Sequence, residues 1–215
     1  MINLKNIYLS IKNRISAPKE VVPRPNYYTL FDEIDEEILG LEFGTDILSF
    51  HNDISDKLMD LRRKIMHNTG FIFPLTRFLH DIDLQENQYV IKIMGKTVFE
   101  GYVIPNAKDA TEEIIKNIEK IVLSNFDKLL TNNTVENYLN HIEDLNPRLV
   151  CNTIRFLTMG DIKKILVEIL NEGKSIKNIT YIFEKINENM VNHDGVQYIP
   201  QNPVKIANKI CHGII

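Results

Sequence analysis

The apolar residues of this chain change their spacing near residue 107, from alternation to a period of about 3.6. Before that point Leu39, Leu41 and Phe43 alternate with other residues, which predicts a half-buried strand. Three more strand-like runs follow, namely "FIFPLTRFL", "YVIKIM" and "TVFEGYV". The turn around Gly95 predicts that the last two form a hairpin. Pro74 cannot donate a backbone hydrogen bond, so it predicts a strand edge or a bend.

One helix is predicted between the first strand and the other three. Ile54, Leu58, Leu61 and Ile65 recur at helical spacing within residues 52–68. Gly70 lies just beyond, where glycine favours the left-handed conformation that ends many helices. A strand, a helix and three strands together predict a compact α+β unit.

Five short helices are predicted from Asp109 onward, where the helical period takes over. Each has a start signal of capping type. The signals are, in order, Asp109 with Glu112 as a capping box, Thr134, Pro147, Thr158 with Asp161, and Ser175. The sequence therefore predicts one long helix over residues 109–130 and four shorter ones after it.

The predicted fold class is α+β, a small mixed sheet with a packed helix followed by an all-α helical region. We expect residues 1–25 to be a linker or tether, because they carry five lysines or arginines against one acid and end in a proline-spaced run. Residues 26–107 are predicted to form an α+β subdomain and residues 108–190 a helical subdomain. Residues 191–215 are predicted to be a tail with a short helix.

Composition narrows the classes of function. The 215 residues have a formal net charge of −4, so no general excess of positive charge indicates nucleic-acid binding. The two cysteines, Cys151 and Cys211, show neither metal-site nor disulfide-scaffold spacing. No apolar run is long enough for a membrane span, so we expect a cytoplasmic protein.

Catalytic chemistry is not indicated. The six histidines are scattered, no phosphate-binding glycine loop occurs, and we predict no cofactor, no metal and no enzymatic activity. One alternative is a hydrolase that assembles a histidine and carboxylates in space. It requires His80, Asp81 and Asp83, or His193 and Asp194, to converge in a cleft.

A basic cluster on the first predicted helix has two interpretations. Arg62, Arg63 and Lys64 are adjacent in the sequence. Such a cluster usually forms the solvated face of a helix, but it can also dock an acidic partner.

Seven stretches of the chain, in this order, carry a resemblance to a known family. They are "GLEFG" (residues 40–44), "GFIFP" (70–74), "YVIKIMGKTVFEGYVIP" (89–105), "AT" (110–111), "PRLV" (147–150), "ILVEILNEGKSIKNITYIFEKI" (165–186) and "NPVKIANKICHGII" (202–215). This series resembles the cytoplasmic portion of the FHIPEP family, the export-gate proteins of flagellar and virulence type III secretion. The family's membrane half, one internal subdomain and its C-terminal subdomain have no counterpart in the series, so we expect a reduced cytoplasmic domain.

The resemblance implies a docking role. Family members form a ring, typically of nine subunits, and receive substrates or chaperone complexes in a groove. Thr111 aligns with a threonine of one groove wall, although a helix-start threonine can also simply cap backbone amides. Pro105 and Asp109 flank the junction where the family carries the further subdomain. These three are the predicted partner-binding residues.

We therefore expect a non-enzymatic module of an export gate, cytoplasmic or peripheral to the inner membrane. Its expected partners are export substrates, chaperones, neighbouring subunits or other apparatus proteins, with no nucleic acid and only indirect membrane contact. The alternative is a stand-alone adaptor or regulator that kept the fold outside any export apparatus.

Overall fold

A mixed four-stranded sheet and eight α-helices make up the part of the chain that the computed structural model describes, residues 37–104, 109–190 and 202–213. These residues belong to one compact unit, Glu36–Ile215. The predicted α+β class is confirmed. The predicted tether, residues 1–25, and Pro105 lie outside the described residues.

The sheet has the strand order β2-β1-β3-β4. The strands are β1 (Leu39–Phe43), β2 (Thr76–His80), β3 (Gln88–Ile93) and β4 (Lys96–Tyr102). β1 pairs with β2 in parallel and with β3 antiparallel, and β3 and β4 form the predicted hairpin. Gly95 and Met94 both have positive φ in its turn, as a two-residue hairpin loop of this kind requires.

One face of the sheet forms a core with the helix that follows β1. The alternating residues Leu39, Leu41 and Phe43 are buried on that face, as their spacing predicts. A 3-10 helix (Thr45–Phe50) leads directly into α1 (His51–Thr69). The apolar stripe predicted for α1 is buried in the same core.

Two glycines of the sheet are required by close approach. Gly101 lies opposite Tyr89 in the β3–β4 register, and a Cβ on Gly101 would come within 2.5 Å of the tyrosine ring. Gly44 ends β1, and a Cβ there would lie 2.0 Å from the carbonyl oxygen of Gln85. The last glycine of "GLEFG" and the glycine of "FEGYV" are therefore required by packing. A neighbouring backbone or aromatic ring lies directly against each Cα, where a side chain would not fit.

The predicted strand "FIFPLTRFL" is too long. β2 begins only at Thr76, after Pro74, and the residues before it run as a connector between α1 and β2. Phe71 and Phe73 are buried there. The backbone of the connector bonds to helical side chains, so it has no strand partner.

Seven further helices follow the sheet. They are α2 (Ala110–Leu123), α3 (Phe126–Leu129), α4 (Asn132–Leu145), α5 (Pro147–Ile154), α6 (Met159–Asn171), α7 (Ile179–Met190) and α8 (Pro203–Gly213). α2 packs on α1, α6 packs on α3, α4 and α8, and α7 packs on α4, α5 and α8. The predicted helical region is thus present.

Two of the predicted helix starts are confirmed. Pro147 occupies the first turn of α5. Thr158 and Asp161 form a full capping box at the start of α6, and the hydrogen bond from the Thr158 hydroxyl lowers the pKa of the Asp161 carboxyl.

The other predicted starts are wrong in detail. The Asp109 side chain makes no capping bond. α4 starts before Thr134, because the Thr131 hydroxyl accepts the Thr134 amide and acts as the cap. α7 starts at Ile179, where the Asn178 side chain accepts the Tyr181 amide, and Ser175 accepts only the Lys177 amide.

The single long helix predicted over residues 109–130 is also wrong. It is interrupted between α2 and α3. The Ser124 hydroxyl and the side-chain amide of Asn125 both donate a hydrogen bond to the Ile121 carbonyl. Side chains therefore replace the helical backbone bonds there.

Residues 69–73, which are the last residue of α1 and the first part of the connector, are where the helices meet the sheet. The Tyr138 hydroxyl on α4 donates to the Gly70 carbonyl at 2.8 Å and accepts the Ile72 amide at 3.2 Å. The Ile176 amide, just before α7, donates to the Thr69 carbonyl at 2.7 Å. The Phe71 ring packs edge-on against Phe126 of α3 at 5.1 Å between centroids. Three separate helical segments are therefore fixed to these few residues.

Gly70 makes this convergence possible. Its φ is +77°, the left-handed conformation predicted for the end of α1, and a Cβ would lie 2.4 Å from the Lys177 nitrogen. Only glycine, which has no Cβ, avoids both the strain of the left-handed conformation and the clash with Lys177.

We predict that Gly70→Ala lowers the free energy of unfolding by about 3 kcal/mol, from left-handed strain plus the clash with Lys177. Gly173→Ala is the matched control, because its φ is +70° with no atom within 4 Å of the new Cβ. That variant is expected to lose only about 1 kcal/mol. Urea unfolding of both variants measures the difference, and equal losses would contradict the close approach.

Candidate docking groove

A groove runs between α1 and α2. Its volume is about 800 Å³. It is lined on the α1 side by Lys57, Asp60, Leu61 and Lys64, and on the α2 side by Asp109, Glu112, Glu113, Ile115, Lys116 and Glu119. We call it the α1–α2 groove.

Apolar packing beneath the groove holds the two helices side by side. The amphipathic spacing of α2 buries Ile114, Ile118 and Ile121, and Leu61 and Ile65 are buried on α1. Burying side chains of this size stabilises the fold by about 2 kcal/mol each. The charged rim above them is left to solvent.

Two ion pairs cross the rim. Lys57 contacts Glu112 at 2.9 Å, and Lys64 contacts Glu119 at 2.7 Å. The pKa of Lys57 is raised, first by its hydrogen bond to Glu112 and then by Asp53. Pairs as exposed as these contribute at most about 1 kcal/mol each, so they fix the register of the helices more than they stabilise them.

Thr111 is buried beneath the groove and is already bonded within the chain. Only 4% of the residue is exposed, and its hydroxyl donates to the Asp53 carboxylate on α1. This hydrogen bond is the main cause of the lowered pKa of Asp53, with Lys57 adding to it. The sequence suggested two roles for Thr111, a helix cap and part of a groove wall. Neither role includes this contact between α1 and α2.

Asp109, one of the predicted partner-binding residues, lines the groove, with two other charges near it. Asp109, Glu113 and Lys116 make no salt bridge among the described residues, whereas Lys57, Lys64, Glu112 and Glu119 are paired within the chain. Two of these unpaired groups are acidic, Asp109 and Glu113, and Lys116 is basic. They are the side chains of the groove best placed to bind a partner.

The basic cluster on α1 is used within the chain. Arg62 donates to the Phe73 carbonyl and lies over the Phe73 ring, Arg63 pairs with Asp60, and Lys64 crosses the groove. Burial lowers the pKa of Arg62. This arrangement disfavours the acidic-partner interpretation of the cluster.

The predicted histidine and carboxylate group does not converge. His80 is exposed and its ring contacts the Thr45 hydroxyl, at 3.4 Å, and the ring of Phe43. Asp81 accepts the Asp83 amide in an exposed turn. His193 and Asp194 lie outside the described residues. Among the described residues, no hydrogen bond or ion pair joins the His80 ring to either carboxylate.

The described residues contain neither a metal-ligand cluster nor a helix suited to a membrane span. Within residues 37–104, 109–190 and 202–213, no three histidine, cysteine or carboxylate side chains are grouped to hold a metal ion. None of the helices described is both long and apolar enough to cross a membrane.

The model of the FHIPEP family matches residues 10–113 and 106–215. These two segments cover nearly the whole chain, and the chain belongs to the FHIPEP family.

Individual relatives agree with this assignment. The flagellar biosynthesis protein FlhA of Bacillus subtilis is 23% identical over 199 residues, covering 69% of this chain and 29% of that protein. Chlamydia pneumoniae CdsV superposes with a TM-score of 0.68 at 14% identity, covering 81% of this chain and 65% of the other. The nonameric EscV cytosolic domain from the type III secretion system gives 0.62 at 15%, covering 81% and 63%.

These relatives are longer than the present chain. It spans less than a third of the length of the curated flagellar proteins it matches. The solved structures share its fold, that of cytosolic domains of type III export proteins.

We predict that Thr111→Val raises the pKa of Asp53 towards the usual carboxyl range, because it removes the hydroxyl donor. The lowered pKa means that this contact stabilises the fold above the ordinary carboxyl pKa of about 4 and that the contribution is lost as pH falls through the lower value. Thr111→Ser keeps the donor and serves as the control.

Carboxyl NMR titration of Asp53 in the three proteins measures this effect. An unchanged Asp53 pKa in Thr111→Val would contradict the contact.

Proposed function

We propose that this chain is a non-enzymatic docking module of a flagellar or type III export gate, binding partner proteins at the α1–α2 groove. The observation that carries the proposal is that Asp109, Glu113 and Lys116 make no salt bridge among the described residues, whereas the other charged residues of the groove are paired within the chain. Family membership supplies the export context.

The partner classes follow from the same context. Export substrates, chaperones and other apparatus proteins are the proposed ligands of the groove, and neighbouring copies are proposed to form a ring. The nonameric state of the EscV cytosolic domain supports the ring. A position in the cytoplasm, peripheral to the inner membrane, is proposed on the same basis.

The predicted site residues differ in the support they now have. Asp109 lies on the groove, and its carboxylate makes no salt bridge with any residue that the structure describes. Thr111 would act indirectly, by holding the first turn of α2 against α1. Pro105 remains a prediction.

Glu42 and Lys92 are proposed to be structural. They form an ion pair at 2.6 Å across β1 and β3, with the Glu42 side chain only 15% exposed. A partner surface there would first have to break this pair.

The test is affinity capture with the tagged full chain from native cells. The wild-type chain is expected to retain proteins of an export apparatus. Asp109→Lys with Glu113→Lys reverses two groove charges and is expected to reduce capture by about tenfold or more. Glu136→Lys, an exposed α4 position away from the groove lining, is the matched control and should capture normally.

Two outcomes would contradict the proposal. Capture of other proteins but no export protein by the wild-type chain would favour the stand-alone adaptor. Equal capture by the groove variant and the control would show that the groove is not the binding site. Circular dichroism of each variant verifies that it is folded.

A further inference from the structure

Strand β2 is an open edge of the sheet in the part of the chain that the structure describes. It is the outermost strand beside β1, with which it pairs in parallel. The Asp81 amide donates to the Phe43 carbonyl of β1 at 3.0 Å. Backbone groups alternate in direction along a strand, so the amides and carbonyls of Thr76, Phe78 and His80 point away from β1. No hydrogen bond joins them to any described residue.

Three large apolar side chains are exposed along this edge. Leu75 precedes β2 and is 72% exposed, Leu79 within β2 is 44% exposed, and Ile82 just beyond it is 83% exposed. A single exposed apolar residue is ordinary on a protein surface. Three of them along an unpaired edge strand form a surface that another strand can cover. We call residues 75–83 the β2 edge.

The carboxyl end of the β2 edge is acidic. Asp81 and Asp83 lie in the turn directly after β2, and neither carboxylate has a salt bridge among the described residues. Arg77 of β2 is paired with Glu37, and residues 78–91 contain no lysine or arginine. The chain next to this acidic end therefore supplies no cation for it.

We propose that the β2 edge binds an extended, basic segment of another protein, which adds a strand to the sheet beside β2. The open backbone groups supply hydrogen bonds to the segment, and the exposed apolar side chains contact its alternate residues. Asp81 and Asp83 favour lysine or arginine in the part of the segment that passes beyond β2. Nucleic acid and anionic lipid carry the wrong charge for this edge.

This inference goes beyond the proposed function, because the β2 edge is separate from the α1–α2 groove. None of the residues that line the groove belongs to residues 75–83. The two sites can therefore fail independently. Asp109→Lys with Glu113→Lys, which reverses groove charges, is expected to bind the basic segment as the wild type does.

The probes are two fluorescent peptides with the same alternation of valine and threonine. One carries lysines at its amino end and the other carries them at its carboxyl end, so that one of the two matches the direction of the added strand. Fluorescence anisotropy with the full chain is expected to show saturable binding that weakens as salt rises. Replacing the lysines by glutamates is expected to weaken binding by about tenfold or more.

Two variants at one position separate backbone pairing from side-chain contact. His80→Pro removes an outward-pointing amide and leaves the bonds to β1, so it is expected to weaken peptide binding by about tenfold or more. His80→Ala keeps that amide and loses only the ring, so it is the matched control and is expected to bind normally.

A second pair of variants tests the charge. Asp81→Asn with Asp83→Asn is expected to weaken peptide binding by about tenfold and to reduce its dependence on salt. Glu143→Gln with Asp144→Asn removes two exposed acids at the end of α4 and is the matched control, for which no change is expected.

The inference is overturned if the full chain binds neither lysine peptide, which would mean that its own residues or a second copy cover the edge. It is also overturned if His80→Pro binds as well as His80→Ala, or if the charge variant matches its control. Peptide binding that falls as sedimentation velocity shows the chain dimerising would assign the edge to a second copy instead. Circular dichroism verifies that each variant is folded.

Discussion

The left-handed turn at Gly70 is the constraint on which the rest of the structure depends. Without a side chain there, the backbone leaves α1 close enough to Lys177 for the Ile176 amide to reach the Thr69 carbonyl. The same turn directs the Gly70 carbonyl and the Ile72 amide to the Tyr138 hydroxyl. The end of α1 is therefore the place where helices α3 and α4 and the start of α7 are joined to the sheet.

The geometry of the candidate groove depends on this turn at the end of α1. α1 is one wall, and its position is set at one end by the connector and along its length by apolar packing on the sheet and on α2. The ion pairs of Lys57 and Lys64 then fix how the α2 wall is aligned. The groove walls are therefore held in place by contacts within the chain, and a preformed surface lowers the ordering cost of binding.

Local patterns predicted what depends on local chemistry. Alternation predicted β1, helical spacing predicted α1, and Gly70 and Pro147 fixed helix ends because their backbone preferences act within a few residues. The capping box expected at Asp109 and the groove role expected of Thr111 depended on tertiary contacts. Thr111 reaches Asp53, on another helix, and no spacing along the chain reveals that contact. The groove arises in the same way, from segments distant in sequence.

Amide hydrogen exchange of Tyr138→Phe tests most directly whether the connector positions the groove. The substitution leaves a carbonyl and an amide without their partner, a loss of about 1–3 kcal/mol. If the connector positions the groove, amide exchange in Tyr138→Phe is expected to be faster in the connector, in the last turns of α1 and in the facing part of α2. Faster exchange confined to α4, with α1 and α2 unchanged, would contradict it.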